Sequence, residues 1–143
     1  MEAAVRALFE RYAEFFNRAI GGTVDLDQIT AVYTPEFISA SPRGVMTGKN
    51  DDSLKPVMER GYAHYRAIGT KEMRIQELQI TPIDDLHCLA RVGWKAIYER
   101  KGARGVEIDF DVHYLVQNLD GNPKIFGWVT GDEEATLRKH GIG

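Results

Sequence analysis

Cysteine is nearly absent. Cys88 is the only one, so no intrachain disulfide can staple the fold, and the 143 residues must hold themselves together by burial and hydrogen bonding. Positive charge is not in excess either. Eighteen lysines and arginines face 21 aspartates and glutamates, a net charge of −3, which leaves no basic field for a phosphate backbone. Nucleic acid is therefore not an expected partner. No apolar run approaches the ~18 residues that a membrane-spanning helix needs. The opening MEAAVRALFERY lacks the basic stretch and apolar block of a secretory signal, so a cytoplasmic location is the expectation. Repeats, low-complexity tracts and linkers are missing, and one domain over residues 1–143 is expected. GARG and GKND lack the spacing of a phosphate-binding glycine loop. No established metal-ligand signature is present, so neither metal nor cofactor is expected.

What the chain does have is long alternation. In residues 106–117, Val106, Ile108, Phe110, Val112, Tyr114 and Val116 share one face, and Glu107, Asp109, Asp111, His113, Leu115 and Gln117 share the other. A period of two over a dozen residues predicts a strand. Asp120-Gly121-Asn122-Pro123 predicts a tight turn, and a second strand over 124–130 completes a hairpin.

Before the hairpin, residues 3–20 read as an amphipathic helix, with Val5, Leu8, Phe9, Tyr12, Phe16 and Ile20 at spacings of three and four. Gly21-Gly22 stops it. Asp25, with Gln28 three residues on, reads as the capping box of a short helix that buries Leu26, Ile29 and Tyr33 and ends before Pro35. A short strand is expected over 36–41, followed by a loop punctuated by Pro42-Arg43-Gly44 and Gly48-Lys49. A third helix runs from about Asp51 or Asp52 to Ile68, with Pro56 tolerated in its first turn and Gly69 as its stop. Its apolar stripe is Leu54, Val57, Met58, Gly61, Tyr62 and Tyr65. Strands are expected over 72–83 and 87–100, then a basic, glycine-bearing turn over 101–105. Asp132 reads as the cap of a last helix, with Glu133 and Glu134 suiting its positive end. The fold class is α+β: a curved, mostly antiparallel sheet wrapped on three N-terminal helices, a cone with a pocket, and a short C-terminal helix.

Three stretches carry a family resemblance. ERYAEFFNRAIGG is similar to the first helix of the nuclear transport factor 2-like (cystatin-like) superfamily. VYTPEFISASPRGVMTGKND is similar to its segment before the third helix, and GNPKIFGWVTGDEEATLRKHGI resembles the last strand and tail of uncharacterised members. The superfamily includes ketosteroid isomerase, scytalone dehydratase and the SnoaL-like polyketide cyclases. The resemblance implies a ligand pocket in the cone and, in many members, a dimer. It also implies a role for Tyr12, which stands where the isomerase has its oxyanion-donating tyrosine. The isomerase's basic aspartate precedes a proline; here Ser41 precedes Pro42, so that base is missing. His113 or Asp111 falls near the second oxyanion donor.

The candidate residues follow. Asp109, Asp111 and His113 project from one strand face, and an aspartate beside a histidine can fix its tautomer and raise its basicity. If that face lines the cone, His113 is the acid/base, Asp111 its orienter and Tyr12 the donor to a developing oxyanion, in a metal-independent lyase, isomerase or cyclase. If the other face is the core, the three polar residues face solvent. The alternation leaves both orientations open. Phe16, Tyr33, Phe37, Met58, Tyr62, Trp94 and Trp128 are the expected walls of a mainly apolar ligand pocket. A small apolar or aromatic molecule is the expected partner; a non-catalytic protein-interaction module is the alternative. Apolar residues on both faces of 87–100 and 106–118 also predict a homodimer through the outer face of the sheet.

Overall fold

The computed structural model of the chain describes residues 1–100 and 103–141. The elements run α1 (Glu2–Ile20), α2 (Leu26–Thr30), β1 (Tyr33–Ser41), β2 (Gly44–Lys49), α3 (Leu54–Ala67), β3 (Thr70–Pro82), β4 (His87–Arg100), β5 (Ala103–Leu119), β6 (Asn122–Thr130) and α4 (Glu133–Lys139). The strands form one six-stranded sheet in the order β2-β1-β6-β5-β4-β3. Every pairing is antiparallel except β1 with β6. This is the α+β architecture read from the sequence.

The apolar face of β5 is the core. Ile108, Val112, Tyr114 and Val116 are buried there beside Cys88, Ala90, Val92, Trp94 and Ala96 of β4. Val5, Leu8, Phe9 and Phe16 of α1 close over them. The ring of Phe9 lies 4.9 Å from that of Tyr114, so the helix rests on the very face that the alternation marked. Each such side chain removed from water contributes ~1.5–3 kcal/mol. The opposite face carries ion pairs: Arg91 with Asp111 at 2.8 Å, and Lys95 with Glu107 at 3.1 Å and Asp109 at 3.4 Å.

Several local readings are corrected. The loop expected over 42–49 is instead a turn and strand β2, paired with β1 from Glu36↔Lys49 to Ser41↔Gly44. A single extended chain at the sheet edge can pair its backbone there without any apolar alternation, which is why the pattern did not show it. Tyr33 belongs to β1 rather than to α2, because it pairs with Ile125 of β6. The Asp25 cap holds: Gln28 donates its backbone N–H to Oδ1 at 3.2 Å. α3 buries none of its residues fully and leaves Val57 52% exposed, so its stripe is only half covered. Of the turn expected over 101–105, Lys101 and Gly102 lie outside the described residues, and Gly105 sits within β5.

Two side-chain clamps fix the frame of the cone. β3 is an edge strand, and Asn17 of α1 covers its free backbone: Met73 donates N–H to Oδ1 at 2.8 Å, and Nδ2 donates to the Met73 carbonyl at 3.0 Å. Asn50 donates to the carbonyls of Thr30 and Tyr33 at 2.7 and 3.1 Å, tying the end of β2 to the start of β1. The β5–β6 turn places Asp120 and Gly121 at φ 56° and 74°, the left-handed pair that the Asp-Gly dipeptide favours. At Gly48 the Phe37 ring lies so close that an added Cβ would come within 2.5 Å of ring carbons. The missing side chain there is what lets Phe37 settle on Trp128, at 5.2 Å and 25° between planes.

Candidate functional site

A cavity of about 280 Å³ lies between α1, α3 and the core face of the sheet. α1 supplies Tyr12 and Phe16, successive apolar positions on one helical face. β1 supplies Tyr33, β4 Trp94, β5 Phe110, Val112 and Tyr114, and β6 Trp128. The strand residues arrive on one side because alternation along β5 sends Phe110, Val112 and Tyr114 to the same face. The walls are aromatic, with centroid separations of 5.8 Å for Tyr12–Trp94, 5.9 Å for Tyr12–Tyr114 and 5.6 Å for Tyr33–Trp128.

Polar atoms inside are few and grouped. The Tyr12 hydroxyl faces those of Tyr33 and Tyr114. The Trp94 indole donates Nε1–H to the Tyr114 hydroxyl at 3.2 Å. Burial pushes all three phenols above the ordinary tyrosine value, those of Tyr33 and Tyr114 far above. They are neutral at physiological pH and can donate hydrogen bonds to a carbonyl or similar acceptor.

A second cavity of about 260 Å³ opens beneath α4 and shares Tyr65, Met73, Phe110 and Glu133 with the first. The two cavities adjoin, and Glu133 lines both. Burial raises the Glu133 carboxyl above its ordinary value. Asp132 caps α4 by accepting the Ala135 N–H at 2.9 Å, Leu137 packs against the core, and Glu134 pairs with Arg43 of the β1–β2 turn, so the helix holds Glu133 in place.

The expected site residues divide into three groups. Tyr12, Phe16, Tyr33, Trp94 and Trp128 meet around the first cavity. Phe37, Met58 and Tyr62 stand behind its walls: Phe37 stacks on Trp128, Tyr62 meets the Phe16 ring at 5.5 Å, and Met58 packs on the core. Asp111 and His113 are separated from Tyr12. They lie on the outer face because Val112 and Tyr114 turn inward, and alternate residues on a strand must diverge. Asp111 and Asp109 border the second cavity at its edge, but Arg91 takes the Asp111 carboxylate, and Lys95 and Gln76 take that of Asp109. No hydrogen bond joins Asp111 to His113 among the described residues. The catalytic set of His113, Asp111 and Tyr12 is therefore not assembled. Among the described residues no group of three or more His, Cys, Asp or Glu side chains could hold a metal ion.

Two residues of the site lie outside the sequence expectation. Tyr114 stands in the apolar alternation of β5, where a phenol among hydrocarbon side chains is itself a sign of a polar contact. Glu133 suits the positive end of its helix; its place in the cavity comes from the docking of α4, which leaves no local trace.

The comparisons agree with the geometry. A family described as "NTF2-like protein (DUF6841)" matches residues 2–133. Among curated proteins none matches the chain. An NTF2-like protein with a cystatin-like fold from Novosphingobium aromaticivorans is similar, with 13% identity and a TM-score of 0.70, over 97% of this chain and 87% of that one. An NTF-2 like protein from Shewanella oneidensis shares 16% identity with a TM-score of 0.67, over 92% and 98% of the two chains. A ketosteroid isomerase-like protein from Erwinia carotovora atroseptica shares 18% identity with a TM-score of 0.61, over 90% and 93%. At such identities the solved structures speak for the fold alone. With a sheet curved around α1 and the family match running through nearly all of its length, this chain belongs to the NTF2-like family.

Proposed function

We propose that the chain binds a small molecule in the cavity between α1, α3 and the concave sheet. The observation that carries this reading is the lining itself: eight aromatic rings from six elements surround the space, and a cluster of tyrosine hydroxyls, with Thr130 and Glu133, breaks their apolar surface. Ligand sites are built in this manner, with apolar walls and a few placed polar groups. A ligand with an apolar or aromatic body and one acceptor oxygen suits it, the body against Trp94 and Trp128 and the oxygen on Tyr12, Tyr33 or Tyr114. Chemistry by His113 and Asp111 has no support, since they face away from Tyr12.

The test uses N-phenyl-1-naphthylamine, a neutral aromatic probe that brightens in dry surroundings. The account expects saturable binding with energy transfer from tryptophan, and a lower affinity in Trp128→Ala with the fold intact by circular dichroism. A probe signal that never saturates, or one indifferent to Trp128→Ala, would overturn the reading.

We further propose that a second copy of the chain covers the outer face. Val112 and Tyr114 belong to the core, so the face open to a second copy is the opposite side of the sheet. There Leu115, Gly127 and Ile38 stand side by side in register, as do Val129, Ala40 and Val45. Ile38, Val45 and Val129 are 44%, 70% and 48% exposed. Charges of both signs on Arg91, Asp111, Lys95 and Glu107 adjoin this strip. A surface that pairs apolar with apolar and carries both signs can meet itself across a twofold axis.

A further inference from the structure

The charge balance inside the two chambers is one-sided. No lysine, arginine or histidine lines either cavity among the described residues, whereas four carboxylates do: Asp109, Asp111, Asp132 and Glu133. Three of the four are engaged. Asp109 has Lys95 and Gln76, Asp111 has Arg91, and Asp132 has the Ala135 N–H. The Glu133 carboxyl alone receives no hydrogen bond and no ion pair from any described residue, and it is the one that lines both chambers. A half-buried carboxyl that accepts no hydrogen bond costs the folded state free energy, since water is partly removed and only the positive end of α4 offsets the loss.

The groups facing it are aromatic. Tyr12 from α1, Tyr65 from α3 and Tyr114 from β5 line the first chamber with it, and Tyr65 and Tyr98 from β4 line the second. Phenol rings present negative faces, and a cation over such a face is attracted by ~0.5–2 kcal/mol, more when water is excluded. An anionic ligand would meet an uncompensated carboxylate and no positive side chain. A neutral ligand would leave that carboxylate unpaired. A cation gains both the ring faces and the charge.

We propose that the ligand is an organic ammonium with an apolar or aromatic body, its charged group seated between Glu133 and the tyrosine rings at the junction of the two chambers. This deepens the small-molecule reading above and rests on it. The apolar body lies in the first chamber against Trp94 and Trp128, and the ammonium points toward α4. Glu133 supplies the counter-charge, and the rings supply most of the contact surface. The structure thereby gives a reason for an acid that the fold leaves without a partner.

Two probes of nearly the same shape decide the matter. Benzyltrimethylammonium and neopentylbenzene differ in one central atom, nitrogen with a positive charge against neutral carbon. Each is titrated into the native protein and into Glu133→Gln, with tryptophan fluorescence and ligand-observed NMR as readouts. The expected result is binding of the cation about tenfold tighter than that of its neutral twin in the native protein. In Glu133→Gln that preference disappears while neopentylbenzene binds as before, which also shows that the variant is folded and its cavity open. Equal or tighter binding of neopentylbenzene to the native protein overturns the ammonium assignment and leaves the small-molecule reading standing. A cation preference that survives Glu133→Gln overturns the role of Glu133. If neither probe binds and the neutral naphthylamine also fails, the small-molecule reading falls and this proposal with it.

Discussion

One substitution made at two places separates the core from the outer face. Val112 and Val129 sit on neighbouring strands, in adjacent rows of the β5–β6 ladder, where Val112 pairs with Thr130 and His113 with Val129. Val112 is 4% exposed and lines the cavity, while Val129 is 48% exposed on the other side. Val112→Lys forfeits ~2 kcal/mol of apolar burial. It also brings an ammonium group into an apolar core at a cost of several kcal/mol more. The sum rivals the ~5–15 kcal/mol that holds a domain of this size together. Val129→Lys leaves the core of each chain intact, so at a dilution that keeps copies apart it should change stability by about 0.5 kcal/mol or less. Thermal unfolding followed by circular dichroism is the assay. Val112→Lys should be unfolded or close to it at room temperature, and Val129→Lys should melt cooperatively near the native midpoint. A Val112→Lys protein with native stability would refute the assignment of this face to the core.

Three further predictions follow from single contacts. Asn17→Ala removes both bonds to Met73 and leaves an edge-strand N–H uncovered; at ~1 kcal/mol per bond, less the gain from alanine in a helix, the loss is ~1.5 kcal/mol, read as a lower urea midpoint at unchanged slope. Glu133→Gln should stabilise the protein at neutral pH. Burial raises the folded-state carboxyl above the ordinary value of 4.5, so the native state's stability is fully present below that value and declines as pH rises through the folded one. The variant's advantage should therefore vanish at about pH 4 and grow toward pH 7, and a pH-independent difference in melting temperature would contradict it. Light scattering should find a dimer for the native chain and a folded monomer for Val45→Lys with Val129→Lys; a native monomer at micromolar concentration would count against the outer-face contact.

The fold was legible because its strongest signals are local and periodic. The alternation from Val106 to Val116 drew β5, and the Asp25 and Asp132 caps placed α2 and α4. β2 was not legible, since Gly44–Lys49 carries no alternation and is held by pairing with β1. Nor could period alone say which face of β5 points inward: Leu115 gave the polar side some apolar weight, and only the docking of α1 onto Tyr114 decides it. Five of the expected wall and donor residues did meet around one cavity, because aromatic residues on core-facing positions of four elements have nowhere else to converge. Glu133 was hidden for the opposite reason. It comes from a seven-residue helix whose position depends on Leu137, Arg43 and the end of β6, all distant in sequence or set by tertiary contact.

The most direct measurement of the central claim is a map of intermolecular nuclear Overhauser effects between a bound aromatic probe and the protein. The account predicts contacts from neopentylbenzene to the Trp94 and Trp128 indoles and to the Tyr12 ring, which line a common cavity. Contacts confined to Leu115, Val129 and Val45 on the outer face, with none to either indole, would contradict it.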